Sequence, residues 1–260
     1  MARLFYSILI LSVSLMATFG ATAAADEQHT VLITGANRGL GFEFVRQFSA
    51  RGYRVIATAR KPERADELNA FAAAHEAVSV EKLDLIDHGG IDDLAAKYSG
   101  QPIDVLINNA ALMRGPDAGQ SFGTIDYQAF DLFFDTNVKG PLKVAEAFWP
   151  NVVASEQGIV VSLTTSQGRQ GIPVPGFAFY KSSKAAIDNL HRDIGRRGRR
   201  DGVRVLTLIP GRVATHGEQQ TRGMVPIEKS ISGMIEVMEN ATLKQNGKSF
   251  WYNGAESNGA

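Results

Sequence analysis

The 260-residue sequence contains no cysteine. That excludes disulfides, thiolate nucleophiles and cysteine-based metal sites. It has no surplus of charge of either sign, because 27 Lys and Arg balance 27 Asp and Glu. A chain without a basic field offers nothing in bulk to hold nucleic acid or an anionic membrane. The histidines His29, His75, His88, His191 and His216 are scattered without ligand-like spacing, so no metal site is expected. No linker, repeat or low-complexity tract divides residues 29–255. What is present is an ordinary globular composition, 44% hydrophobic and 21% charged, which supports a sizeable core and rules out a mostly disordered chain. Glycine is the outlier: 26 of 260 residues, against about 7% on average. The excess points to tight backbone turns, phosphate-binding ones among them.

The N-terminus reads separately. Arg3 is followed by an apolar stretch from Leu4 to Phe19, then small residues ending Ala23-Ala24-Ala25, then Asp26-Glu27-Gln28. A basic start, an apolar middle and an Ala-x-Ala end make residues 1–25 a secretory signal peptide. The expected location is therefore periplasmic or secreted, with no stable membrane insertion once the signal is cleaved. An uncleaved signal would instead anchor the protein to the membrane. There is no twin arginine, so export of a folded, cofactor-loaded protein is not indicated.

From His29 onward, short β-branched runs alternate with longer amphipathic segments. The runs are Thr30–Thr34, Arg54–Ala59, Val78–Leu83, Ile103–Asn108, Gly158–Thr164, Val203–Ile209 and Ser249–Trp251. Helical patterns fall at about 39–51, 62–74, 88–99, 124–154, 179–199 and 226–240. Continuous Val, Ile and Leu in the runs suits strands covered on both faces. The alternation predicts an α/β Rossmann-type fold, a doubly wound parallel sheet of about seven strands flanked by helices, in a single domain over 26–260. The Gly-, Asn- and Ser-rich tail Asn253–Ala260 is expected to fray.

Directly after the first run comes Thr34-Gly35-Ala36-Asn37-Arg38-Gly39-Leu40-Gly41. Gly35 permits a sharp exit from the strand, Gly39 close approach of a pyrophosphate, and Gly41 close packing of helix on sheet. The helix N-terminus then offers unpaired N–H groups and a favourable dipole to the anion. The second strand ends Ala59-Arg60-Lys61, without the carboxylate that would bind the ribose 2′-hydroxyl of NAD. Arg60 and Arg38 suit the 2′-phosphate of NADP instead. NADP(H) is the preferred cofactor, with NAD(H) possible.

With these residues the chain resembles the short-chain dehydrogenase/reductase family over about residues 30–254. The matching pieces are Thr34-Gly-x-x-x-Gly39-x-Gly41, Asn108-Asn109-Ala110, Asn137, Tyr180-x-x-x-Lys184 and Pro210-Gly211. The wording from Leu32 to Gly41 and the Gly247–Gly254 ending are similar to the sniffer and C-signal-like carbonyl reductases. Tyr180 and Lys184, four apart, share one face of a helix. Free tyrosine titrates near pH ~10, and a nearby ammonium with the positive ring of an oxidised cofactor is expected to lower that value. The resemblance implies an NADP(H)-dependent oxidoreductase that interconverts a small-molecule carbonyl and alcohol, with Tyr180 exchanging the proton. It further implies that Lys184 holds the nicotinamide ribose and that Asn137 holds a water linking Lys184 to solvent.

The family's catalytic serine is replaced. Counting back from Gly168 in Val161-Ser162-Leu163-Thr164-Thr165-Ser166-Gln167-Gly168 puts Thr165 at that position, with Ser166 the alternative. Carried over by position, the cofactor contacts are Gly35, Asn37, Arg38, Gly39, Leu40, Gly41, Arg60, Asp84, Leu85, Asn109, Ala110, Pro210, Gly211, Val213 and Thr215. The resemblance makes 212–225 a lid, and its few large apolar residues favour a compact or polar carbonyl substrate. It also implies a homodimer or homotetramer built on 124–154 and 179–199. A different class of reading stays open, a nucleotide-binding or scaffold protein with little turnover. Thr165, Ala111 in place of the family's glycine, and export away from pyridine nucleotides point that way.

Overall fold

The computed structural model describes residues 28–113, 120, 122–166, 177–215 and 219–257. The expected leader therefore lies outside the described residues. Seven strands form one sheet: β1 (Thr30–Ile33), β2 (Arg54–Ala59), β3 (Val78–Lys82), β4 (Val105–Asn108), β5 (Ile159–Leu163), β6 (Arg204–Ile209) and β7 (Ser249–Trp251). Every pairing is parallel, in the order β3-β2-β1-β4-β5-β6-β7. The order reverses between β1 and β4, and at such a point the carboxyl ends of the strands open a crevice.

Alternation along the strands feeds two cores. Val31, Ile33, Val55 and Ile107 face a layer with Phe44 and Phe48 of α1 (Gly39–Ala50), Leu68 of α2 (Asp66–Ala73) and Met234 of α8 (Ile227–Glu239). Leu32, Ile56, Leu106 and Val160 face Ile91 of α3 (His88–Lys97), Val144 of α5 (Gly140–Ala147), Val152 of α6 (Trp149–Val153) and Ile194 of α7 (Ala178–Asp201). Burying each of these side chains contributes roughly 1.5–3 kcal/mol, so the two apolar faces hold the sheet rigid beneath its upper rim.

Two expectations are corrected. Residues 124–154 are not one helix. Asp126 caps α4 (Tyr127–Phe134) by accepting from the amides of Gln128 and Ala129. The helix then widens into a π-turn over Asp135–Lys139, and Pro141 and Pro150 sit in the first turns of α5 and α6. Proline fits a first turn but has no N–H for a helix interior, so each marks a new start. Nor does the tail fray through Ser257. The Trp251 amide donates to the Ala255 carbonyl (2.9 Å), and the Ser257 amide to that of Ser249 (2.7 Å). Lys248 pairs with Glu256 at 2.9 Å. The tail thus turns back antiparallel and covers the free edge of β7, which otherwise presents unpaired backbone groups. Residues 258–260 lie outside the described set.

Candidate active site

A cleft of about 390 Å³ opens over the carboxyl ends of β1, β2, β4 and β5. Thr34 sets its floor: its hydroxyl donates to the Ile107 carbonyl (3.3 Å) and accepts from the amides of Asn109 (3.0 Å) and Ala110 (3.1 Å). The Asn109 amide group donates back to the carbonyls of Thr34 and Gly35 at 2.9 and 3.0 Å, clamping the glycine loop to the end of β4. That closeness explains the glycines. A Cβ on Gly35 would stand 2.8 Å from that of Ala110, and one on Gly41 would stand 2.2 Å from the Gly35 carbonyl.

The cleft lining joins most of the expected cofactor positions. Gly35, Asn37, Arg38, Gly39, Leu40 and Gly41 form one wall, and Arg60, Asp84 and Leu85 lie at its β2–β3 end. Asn109 and Ala110 stand opposite, and Pro210 and Thr215 come from the loop after β6. No side chain among the described residues caps α1, so the first amides at Gly39, Leu40 and Gly41 are available to an anion. The guanidinium groups of Arg38 and Arg60 are exposed at the rim. A dinucleotide fits this donor set: the open helix amides over a floor too tight for side chains would hold a diphosphate, and Arg38 and Arg60 would hold a 2′-phosphate. Gly211 and Val213 are not in the lining. Val213 instead forms a bridge with Val225 that ties the loop after β6 to the segment before α8.

Tyr180 and Lys184 occupy successive turns at the start of α7, and both line the cleft. Lys184 is 4% exposed, and its Nζ donates to the Leu163 carbonyl (2.8 Å) and lies 5.8 Å from the centre of the Tyr180 ring. Burial pushes the Lys184 ammonium down to about 8. It also pushes the Tyr180 phenol up to about 12. Loss of hydration raises the phenol in the chain by itself, whereas the lowered value was expected with the positive ring of an oxidised cofactor beside it.

Asn137 is wholly buried in the π-turn, a distortion frequent at functional sites. Its Oδ1 accepts from the Leu112 amide (2.7 Å), and its Nδ2 donates to the Leu112 carbonyl (2.8 Å) and to Ser183 Oγ (2.9 Å). The Ser183 hydroxyl donates onward to the Tyr180 carbonyl (2.8 Å). Both amide hydrogens of Asn137 are thus spent on a strut between the loop after β4 and the turn bearing Tyr180. Thr165 and Ser166 are half-buried and outside the cleft lining, beside residues 167–176 that are not described. At the end of β5 the lining consists of Leu163 and Thr164.

Sequence reasoning did not single out Gln120, Ser183 or the Leu163 carbonyl. Gln120 is buried and its Oε1 accepts from the amides of Phe179 (3.1 Å) and Tyr180 (3.5 Å), so a distant side chain caps α7. No periodicity marks such a glutamine. Ser183 carried a signal in its position three residues after Tyr180, one turn along the same helix face. The lining also holds the apolar Ala111, Leu112, Met113, Leu132 and Leu163, with the hydroxyls of Thr136 and Thr164 among them.

Comparison with known proteins adds an independent finding. The family model described as short chain dehydrogenase matches residues 29–225. An NADPH-dependent pterin aldehyde reductase of Arabidopsis thaliana is 30% identical over 199 residues, 75% of this chain and 79% of that protein. The NADPH-bound carbonyl reductase from chicken fatty liver superposes with a TM-score of 0.81 at 27% identity, covering 88% of this chain and 98% of that one. The carbonyl reductase Sniffer of D. melanogaster shares the fold with a TM-score of 0.80 at 22% identity, over the same shares.

Proposed function

This chain belongs to the short-chain dehydrogenase family, and on that premise we propose that it is an NADP(H)-dependent oxidoreductase that interconverts a carbonyl and an alcohol, with Tyr180 exchanging the proton. One observation carries the reading. Tyr180 and the buried Lys184 meet at the wall of a cleft whose other wall is the glycine loop and whose rim holds Arg38 and Arg60. When bound, the nicotinamide supplies or accepts a hydride. The protein's own groups do the rest. The α1 amides and the two guanidinium groups hold phosphates, and the Lys184 ammonium lies beside the phenol. With its phenol near 12, Tyr180 is protonated at neutral pH and stands ready to donate to a carbonyl oxygen. In the reverse direction the Lys184 cation favours the phenolate. The apolar residues of the lining suit a compact aldehyde or ketone with an apolar substituent, one of the two substrate types expected from the lid.

The test is NADPH oxidation by purified protein across a panel of aldehydes and ketones, beside Tyr180→Phe. The substitution is expected to lower kcat by about 10²–10⁴. A wild type that binds NADPH yet turns over no faster than the variant would establish the second reading, a nucleotide-binding protein without catalysis. One observation favours that second reading: neither Thr165 nor Ser166 lines the cleft. We further propose export by residues 1–25, tested by the mature N-terminus and compartment in the native cell. A homodimer or homotetramer built on 124–154 and 179–199 is proposed as well, with Tyr127 of α4 76% exposed. A monomer by light scattering at micromolar concentration would contradict it.

A further inference from the structure

The face of α7 that carries Tyr180 and Lys184 continues with Asp188 and then His191. A side chain four residues beyond Lys184 lies one turn along the same face. The end of β5 engages both. The Leu163 carbonyl accepts from Lys184 Nζ, and the hydroxyl of the next residue, Thr164, donates to Asp188 Oδ2 at 3.0 Å. Thr164 is itself buried, and its amide donates to the Leu208 carbonyl of β6 (2.9 Å). The last residue of β5 and the residue that follows it therefore hold a cation and an anion a helical turn apart. An ammonium withdrawn from water keeps its proton only where something replaces its hydration, and a single carbonyl replaces part of it.

We propose that Asp188 is a positioning residue of the active site: its carboxylate, tethered to β5 by Thr164, keeps Lys184 protonated and aimed at the Leu163 carbonyl. The inference rests on Tyr180 and Lys184 being the reacting pair. Burial drives Lys184 toward the neutral amine, and Asp188 acts in the opposite sense. Among the described residues, Asp188 is the one charged group seen to act on the ammonium. Tyr180 is neutral with its phenol near 12. His191 is held down to about 4 by burial, so it is neutral at pH 7, with Nδ1 on the Ile187 carbonyl. Asn137 of the π-turn is an amide bonded to Leu112 and Ser183. Asp135 and Lys139 of that turn pair with each other at 2.6 Å, Asp131 of α4 and Lys244 after α8 are exposed, and Arg204 bonds to the Met238 carbonyl.

The test compares wild type, Asp188→Asn, Asp188→Glu, and Asp188→Asn in a Lys184→Met background. Unfolding by urea is followed as a function of pH, with the pH profile of kcat/KM for carbonyl reduction alongside. In wild type, stability gained from the neutral amine grows from about pH 8 upward. In Asp188→Asn this growth should begin about one pH unit lower, and the alkaline limb of kcat/KM should fall with it. Asp188→Glu should restore both. With Lys184→Met in place, Asp188→Asn should no longer alter the pH dependence. Coincident curves for wild type and Asp188→Asn, or a difference that survives Lys184→Met, would overturn the proposal. If Asp188→Asn does not fold, Thr164→Val serves: the same downward displacement supports the tether, and an unmoved curve refutes it. The unfolding curves need no turnover, so they decide on Asp188 even if the oxidoreductase reading fails.

Discussion

Lys184 places an ammonium where 4% of the residue meets solvent, so the folded chain holds a charge that the unfolded chain hydrates freely. Holding it near 8 against an ordinary 10.5 costs on the order of 3 kcal/mol while the group is protonated. Lys184→Met removes that cost and forfeits the bond to the Leu163 carbonyl. The expected outcome at pH 7 is a variant on the order of 1 kcal/mol more stable in urea, with carbonyl reduction abolished. The pH dependence has a fixed sign. The folded value is depressed, so the stabilisation is fully present above pH 10.5, shrinks as pH falls, and is gone below about 8. Lys184→Met should lose that slope. At the rim, Arg60→Ala should raise KM for NADPH by about 10–100-fold, since a charge-assisted hydrogen bond is worth roughly 1.5–3 kcal/mol, and leave KM for NADH nearly unchanged. These residues were legible in the sequence because their type and spacing are their chemistry. The height of the Tyr180 phenol was not, since it depends on how deeply the ring is buried.

Elements aim these groups. α7 begins with no capping side chain of its own N-cap residue, Phe177, and borrows Gln120 from the loop after β4. Gln120→Ala leaves the Phe179 amide without its partner in a buried setting, a loss of about 1–3 kcal/mol. A lower unfolding midpoint is expected, together with a fall in kcat larger than any change in KM, because the cap orients the turn that bears Tyr180. Unchanged kcat in a destabilised variant would show that the cap serves stability alone. The same scale shows why 124–154 reads as one helix in sequence and is not one in space. Its apolar spacing is continuous, and Pro141 and Pro150 are compatible with helix starts. The π-turn is fixed by bonds from Asn137 to Leu112 and Ser183, 25 and 46 residues away. No local window contains them.

Over the whole molecule, the strand–helix alternation was sufficient to foresee a parallel sheet of about seven strands flanked by helices, because right-handed crossovers leave few other arrangements. The tail was misread because Asn, Gly and Ser compose loops and β-turns alike, and its partner strand is what distinguishes them. Ending the chain after Tyr252 removes the pairing over β7 and the Lys248–Glu256 contact. A loss of about 1 kcal/mol would lower Tm by roughly 2–4 °C in a calorimeter, with the cleft chemistry retained. The strut at Asn137 has a consequence of a different kind. Leu112, which lines the cleft, and the turn that carries the phenol are joined through one amide, so they shift as a rigid piece. In a homologous series of ketones, a bulkier group that presses Leu112 outward should carry Tyr180, the proposed proton donor, off line with it. Selectivity for size should therefore register as slower turnover at saturation, with apparent affinity nearly constant along the series.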